Sequence, residues 1–195
     1  MAVILAAAVR QVIGDRQAMI NKLKTTLRHI WFDASDADRA IAPDLLARLT
    51  SRVTASEARH SGEIRIYVEA ALPLSYLRRL SKQCTLKQLV RQRALMLFSK
   101  LRVWDTEHNN GVLIYLQLAE HAIEIVADRG IDHCVDAAHW QAIAQHMSEA
   151  FREKRFEDGL TQALGEVSAV LVQHFALDST HAGRVNQLPN EPGVG

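Results

Sequence analysis

Proline, cysteine and long apolar runs are scarce in this chain, and each shortage narrows the choice of protein class. Four prolines in 195 residues leave most of the chain free to form helices and strands. The two cysteines, Cys84 and Cys134, form neither a metal-type CxxC pair nor a dense disulfide framework. No apolar stretch is long enough for a transmembrane helix, so we expect no integral membrane segment.

An excess of charge of either sign is also missing. Lys and Arg total 23 against 22 for Asp and Glu, which gives a formal net charge of +1. We therefore expect no nucleic acid partner. A chain of 195 residues that is 48% hydrophobic suits one domain with its own core. Few cysteines favour the cytoplasm, and a periplasmic location is the alternative if residues 1–18 act as a signal peptide.

The clearest structural signal lies within residues 101–132. Residues 112–118 are almost all apolar, as in a strand that is covered on both faces. Residues 119–121 are too few for anything but a reversal, and a second apolar run follows around residues 123–126. The sequence therefore predicts an antiparallel hairpin whose entry and exit loops lie side by side.

A strand and a helix precede this hairpin. Residues 63–69 alternate between apolar and polar side chains, which predicts a half-buried strand. Thr85 can cap a helix through residue 101, so that strands 63–69 and 111–118 form a parallel crossover unit. Further helices are predicted at residues 19–32, 43–60, 135–152 and 156–175. The fold class is thus α/β, with a small mixed sheet.

The first of these helices is amphipathic. Its apolar positions Ile20, Leu23, Leu27, Ile30 and Trp31 recur at helical spacing, with basic residues between them. We interpret the basic residues as a solvated face rather than a lipid-binding one, since a membrane helix would need a larger uninterrupted apolar face.

Several short motifs follow one another along the chain in a characteristic order. They are Ala55-Ser56-Glu57, Ser61-Gly62-Glu63-Ile64-Arg65, Arg93-Ala94 with Phe98, Asp105-Thr106, Asn109-Asn110-Gly111-Val112-Leu113-Ile114-Tyr115, Asp128-Arg129-Gly130-Ile131, Trp140, and Phe156-Glu157-Asp158-Gly159-Leu160. Together they resemble the TPM domain family. The resemblance implies an α/β/α sandwich over residues 42–176, after an extension of residues 1–41. Residues 177–195 are expected to form a disordered tail.

The two hairpin loops carry candidate metal ligands. Asp105 and Asn110 enter the hairpin, and Asp128 and Asp132 leave it, so their oxygens could converge on Ca²⁺ or Mg²⁺. The alternative for these residues is structural, with Asp105 and Asn109-Asn110 as turn formers and Asp132 as the cap of the next helix. Glu57 could contribute from a neighbouring edge.

The resemblance leaves the activity open, because members of the family are associated with acid phosphatase activity, with divalent cation binding and with the assembly of membrane complexes. A phosphatase would need cationic contacts to phosphate, for which Arg93 and Arg129 are candidates, but no nucleophile motif accompanies them. The sequence departs from the family pattern at two places. Ala127 stands where a glycine commonly precedes the aspartate, and the segment from Asp33 to Asp38 lacks the glycine of the usual aspartate-and-glycine motif. Both departures weigh against a metal site inferred from the family. We predict a non-enzymatic domain that binds a partner protein or membrane complex, and a metal-assisted phosphatase is the alternative.

Overall fold

The fold is an α/β sandwich built on a four-stranded mixed sheet in the order β3-β2-β1-β4. The computed structural model describes residues 19–31, 43–81, 83–153, 155–177 and 186–195. Its strands are β1 (Glu63–Glu69), β2 (Gly111–Gln117), β3 (Ala122–Ala127) and β4 (Gly193–Val194). Its helices are α1 (residues 19–31), α2 (Pro43–Glu57), α3 (Leu74–Leu77), α4 (Leu86–Lys100), α5 (Arg129–Asp132), α6 (Ala137–Arg152) and α7 (Phe156–Phe175).

Strand β2 lies inside the sheet, as its unbroken apolar sequence predicts. It pairs in parallel with β1, where Glu63 lies opposite Gly111, and antiparallel with β3, where Val112 lies opposite Ala127. All seven residues of β2 are buried. The predicted hairpin and crossover unit are both confirmed, and Thr85 forms the capping box that starts α4.

Each face of the sheet has its own apolar cluster. Side chains at alternate positions of the strands pack against α2, α6 and α7 on one face, where Leu49, Val53 and Val167 are fully buried. The other face carries Leu113 and packs against α4. A sheet covered by helices on both faces agrees with the predicted sandwich.

Gly111 is required where the 101–110 segment crosses the start of β2. A Cβ atom at this position would lie 2.0 Å from the backbone oxygen of Val103. Val103 is fully buried, and its carbonyl cannot move aside as a flexible side chain would. The close approach therefore brings the loop that enters the hairpin down onto the sheet.

Helix α1 does not use its apolar stripe to pack on the rest of the chain. Its buried residues are Thr25 and His29, whereas the apolar residues Met19, Ile20, Leu23, Leu27, Ile30 and Trp31 are exposed. His29 Nδ1 accepts a hydrogen bond of 3.0 Å from the backbone N–H of Leu72. Lys22 Nζ donates to the backbone oxygen of Leu80 over 2.8 Å. The helix thus lies against residues 72–80 through polar groups.

The chain also returns to the sheet after residue 185. Val194 in β4 pairs in parallel with Val68 of β1, and the backbone N–H of Ala70 donates to the oxygen of Gly195 over 2.9 Å. The prediction of a disordered tail over residues 177–195 is therefore wrong for residues 186–195, which cover the open edge of β1. Residues 178–185, the N-terminal residues 1–18 and the Asp33 to Asp38 motif lie outside the described residues.

Replacement of Gly111 and of Gly165 by alanine should have opposite effects on stability, because, of the two, only Gly111 lacks room for a Cβ atom. We expect Gly111→Ala to lower the free energy of unfolding by about 3 kcal/mol or more, because the new Cβ meets backbone. Gly165→Ala, in the exposed interior of α7 with no atom within 4 Å of the new Cβ, should raise it by up to about 1 kcal/mol. Urea unfolding of the two variants measures both changes, and equal effects would contradict this account of Gly111.

Candidate functional site

The loops that enter and leave the β2–β3 hairpin are tied together by backbone hydrogen bonds. The N–H of Gly130 donates to the oxygen of Asn109, and the N–H of Asp128 donates to the oxygen of Gly111, each over 2.9 Å. A Cβ atom on Gly130 would lie 2.6 Å from the Asn109 oxygen. The two loops are thus neighbours at one end of the sheet, as the hairpin predicts.

Asn110 and Asp128 are buried in these loops, and each keeps one oxygen that accepts no hydrogen bond from the described residues. Asn110 is 1% exposed, and its side-chain amide donates to Ser61 Oγ over 3.1 Å. Asp128 Oδ1 accepts from the N–H of Arg129 over 2.8 Å, which caps α5. Asn110 Oδ1 and Asp128 Oδ2 remain without a donor, an arrangement that normally requires water or a cation.

Two glutamates lie at the same end of the sheet. Glu57, at the end of α2, accepts a hydrogen bond of 2.9 Å from the backbone N–H of Ile64. Glu63 is fully buried at the start of β1. Its Oε1 accepts from the backbone N–H of Gln187 over 3.2 Å. The sequence predicted that Glu57 could contribute to the site from a neighbouring edge.

Glu63 was missed as a site residue, because its place in an alternating strand predicts an outward-facing side chain. The residue that covers it, Gln187, lies 124 positions away in the chain. No local sequence pattern signals that contact.

The other predicted ligands are less enclosed. The side chain of Asp105 is 51% exposed and lies 3.6 Å from the Arg102 guanidinium. Asp132 is exposed on α5. The capping role considered for Asp132 belongs instead to Asp136, which accepts from the N–H of Ala138 over 3.1 Å. Across the described ranges, no three His, Cys, Asp or Glu residues are grouped so that they could hold a metal ion.

The two predicted phosphate contacts differ in position. Arg129 belongs to the loops described above, and its guanidinium donates to Asn109 Oδ1 over 3.3 Å. Arg93 lies elsewhere, because its partner Glu69 is the last residue of β1, six residues beyond Glu63. Arg93 is therefore not part of the Asn110 and Asp128 end of the sheet.

Arg93 instead belongs to a buried charge network that the sequence did not predict. Its Nε donates to Glu69 Oε2 over 2.9 Å, and the Tyr115 hydroxyl donates to the same oxygen over 2.7 Å. The guanidinium carbon also lies 5.5 Å from the centre of the Tyr76 ring. The Glu69 carboxylate is thus satisfied by donors from two different elements, α4 and β2.

This network raises the pKa values of both Arg93 and Tyr115. Burial lowers the pKa of Arg93, but the hydrogen bond and attraction from Glu69 outweigh that effect and leave the pKa raised. Burial, followed by repulsion from Glu69, raises the pKa of Tyr115 well above its ordinary value. Arg93 and Glu69 therefore form a charged pair beside a phenol that stays protonated.

Comparison with known proteins assigns the chain to a family with known structures. The sequence pattern of the TPM domain matches residues 34–170. The chain belongs to the TPM domain family. Similar solved structures include the BA42 protein of the psychrophilic bacterium Bizionia argentinensis, with a TM-score of 0.65, 22% identity, and coverage of 80% of this chain and 95% of that chain. The N-terminal domain of a protein from P. gingivalis has a TM-score of 0.51 and 19% identity, over 70% of this chain and 82% of that one.

These likenesses establish the fold of the TPM domain alone. No curated protein matches the sequence. Among the described residues, no helix is both long and apolar enough to cross a membrane.

Removal of one partner from the buried pair should destabilise the TPM domain. Arg93→Met leaves the Glu69 carboxylate, whose side chain is 6% exposed, without its cation, and we expect a loss of about 2–4 kcal/mol in the free energy of unfolding. The matched control is Arg48→Met, which removes a bidentate pair with Glu157 on the surface. Urea unfolding should show a much smaller loss for the control, and equal losses would contradict the role of burial.

Tyr115 should make the free energy of unfolding decline as the pH rises in the alkaline range. Its pKa is raised in the folded state above the ordinary value of 10.0, so above that pH the unfolded chain loses a proton that the folded chain retains. The stabilisation is complete at lower pH and declines as the pH rises above about 10. We expect Tyr115→Phe to flatten the fall of unfolding free energy between about pH 9 and 11. A slope equal to that of the parent protein would refute this assignment.

Proposed function

We propose that this TPM domain is a non-enzymatic binding module that takes up a divalent cation, Ca²⁺ or Mg²⁺, between the two hairpin loops. The observation that carries the proposal is the pair of buried oxygens, Asn110 Oδ1 and Asp128 Oδ2, neither of which has a donor among the described residues. Amide and carboxylate oxygens are the ligands that these hard cations prefer. A soft metal would instead need Cys or His ligands.

The same loops offer further oxygen ligands. Asp105 and Asp132 are exposed side chains on these loops, and either one would have to turn towards Asp128 to join the site. Backbone carbonyls and water complete the coordination of Ca²⁺ in many proteins. A site with few charged ligands binds weakly, and we expect a dissociation constant of about 10⁻⁴ to 10⁻³ M.

A bound cation would couple the two loops to each other and offer them to a partner protein. Arg129 already links them through Asn109, and a cation between Asn110 and Asp128 would add a second link. A partner that binds across both loops would then meet a more rigid surface, at a lower entropy cost. Binding of the partner is expected to strengthen when the cation is present.

Calorimetric titration with CaCl₂ and MgCl₂ tests the cation site. Asp128→Asn removes the charge but keeps a good helix-capping residue, and we expect it to weaken binding at least about tenfold. The control is Asp44→Asn, at the exposed start of α2 and thirteen residues before Glu57, about 20 Å along the helix axis. Equal binding by the two variants, or none by the parent protein, would refute the proposal.

The phosphatase alternative is tested with the same variants. Turnover of p-nitrophenyl phosphate in the presence of Mg²⁺ that is lost in Asp128→Asn and kept in Asp44→Asn would favour an enzyme at these loops. We expect no turnover. Arg93, one of the two candidate phosphate contacts, is paired with Glu69 at the other end of β1 and does not lie at the loops.

A further inference from the structure

The exposed apolar side chains of α1 form one continuous stripe. Successive residues of a helix are rotated by about 100°, which places all six apolar residues within a sector about 120° wide. That sector is centred about 160° from the buried pair of Thr25 and His29. Leu23 is 59% exposed and Trp31 is 82% exposed. The stripe thus points directly away from the rest of the domain.

The side of α1 that faces the domain is held by polar contacts. His29 Nε2 lies 3.1 Å from Glu120 Oε1, and Arg28 lies 3.2 Å from the same atom. Because His29 Nδ1 accepts the hydrogen bond from Leu72, a neutral imidazole carries its proton on Nε2. These contacts fix the rotation of the helix and keep its apolar stripe in solvent.

The charged residues that α1 itself carries beside the stripe are positive. Residues 19–31 contain Lys22, Lys24 and Arg28 and no Asp or Glu. Lys22 also donates to the backbone oxygen of Arg78 over 3.2 Å, which brings the exposed Arg78 and Arg79 close to the start of the helix. An apolar stripe beside such cations is complementary to anionic lipid headgroups over acyl chains.

The exposure of the stripe argues against the sequence-based interpretation of the basic residues as a merely solvated face. We propose that α1 is an interfacial helix that binds the surface of an anionic lipid bilayer, with its apolar stripe inserted below the headgroups. Trp31 lies at the edge of the stripe next to Lys24, where its ring would occupy the headgroup boundary. The helix lies parallel to the bilayer, and Lys24 contacts the phosphates. This property is independent of the proposed cation site.

A second copy of the chain fits the stripe less well. In a dimer through α1, neither copy supplies a carboxylate from this helix to neutralise Lys24 of the other. A bilayer with anionic lipids supplies that charge together with the apolar environment.

Co-sedimentation with vesicles tests the proposal on the full chain. The vesicles are phosphatidylcholine with about 30% phosphatidylglycerol or without it, in EDTA so that cations cannot bridge protein and lipid. We expect binding to the anionic vesicles only. Leu27→Ser, at a position 46% exposed in α1, should weaken binding roughly tenfold, whereas Leu95→Ser, at a position 45% exposed in α4, should leave it unchanged.

Two further readouts make the outcome decisive. On binding, the emission of Trp31 should shift to shorter wavelength, and Trp31→Phe should abolish that shift while circular dichroism stays unchanged. Equal binding by the Leu27 and Leu95 variants would overturn the proposal. So would an absence of lipid binding with a concentration-dependent dimer in light scattering that Leu27→Ser dissociates, because the stripe would then be an interface between copies.

Discussion

The burial of β2 on both faces is the constraint on which the rest of the structure depends. A strand with seven buried residues needs a neighbour on each side and an apolar layer above and below it. The parallel partner β1 and the antiparallel partner β3 meet the first requirement, and α4 together with α2, α6 and α7 meets the second. The crossover through α4 and the tight return to β3 follow from the same need.

This arrangement also produces the polar end of the sheet. The segment before β2 must pass over Gly111 to reach the interior of the sheet, and the segment after β3 must leave beside it. Asn110 and Asp128 become buried because they stand at those two crossing points. Their polar atoms are only partly satisfied by the backbone and Ser61. Burial of such groups costs free energy unless something binds them, which is the physical argument for the proposed cation site.

The sequence was most informative where one local pattern determined one element. The apolar run of β2, the alternation of β1 and the cap at Thr85 each predicted their structures, because period and capping act within a few residues. The proximity of the Asn110 and Asp128 loops followed from the hairpin. Whether their oxygens have donors depended on atoms that no pattern specifies.

Contacts between distant parts of the chain could not be predicted in this way. Gln187 covers Glu63, and residues 193–194 pair with the free edge of β1. In α1 the apolar pattern predicted the helix correctly, but it did not predict that the apolar side chains face solvent. His29 and Lys22 find polar partners that orient the helix, and an amphipathic pattern alone cannot show which face meets the protein.

The position of α1 separates two possible binding events in space. The helix contacts Leu72 and Glu120, which follow the carboxyl ends of β1 and β2, whereas Asn110 and Asp128 lie beyond the opposite ends of the strands. A strand of seven residues is about 20 Å long, which is twice the screening length of about 10 Å in 0.1 M salt. The negative potential of a lipid surface at α1 would thus be largely screened before it reached the hairpin loops. The proposed cation site would then lie in the aqueous phase, and its affinity would hardly change when the proposed lipid contact forms.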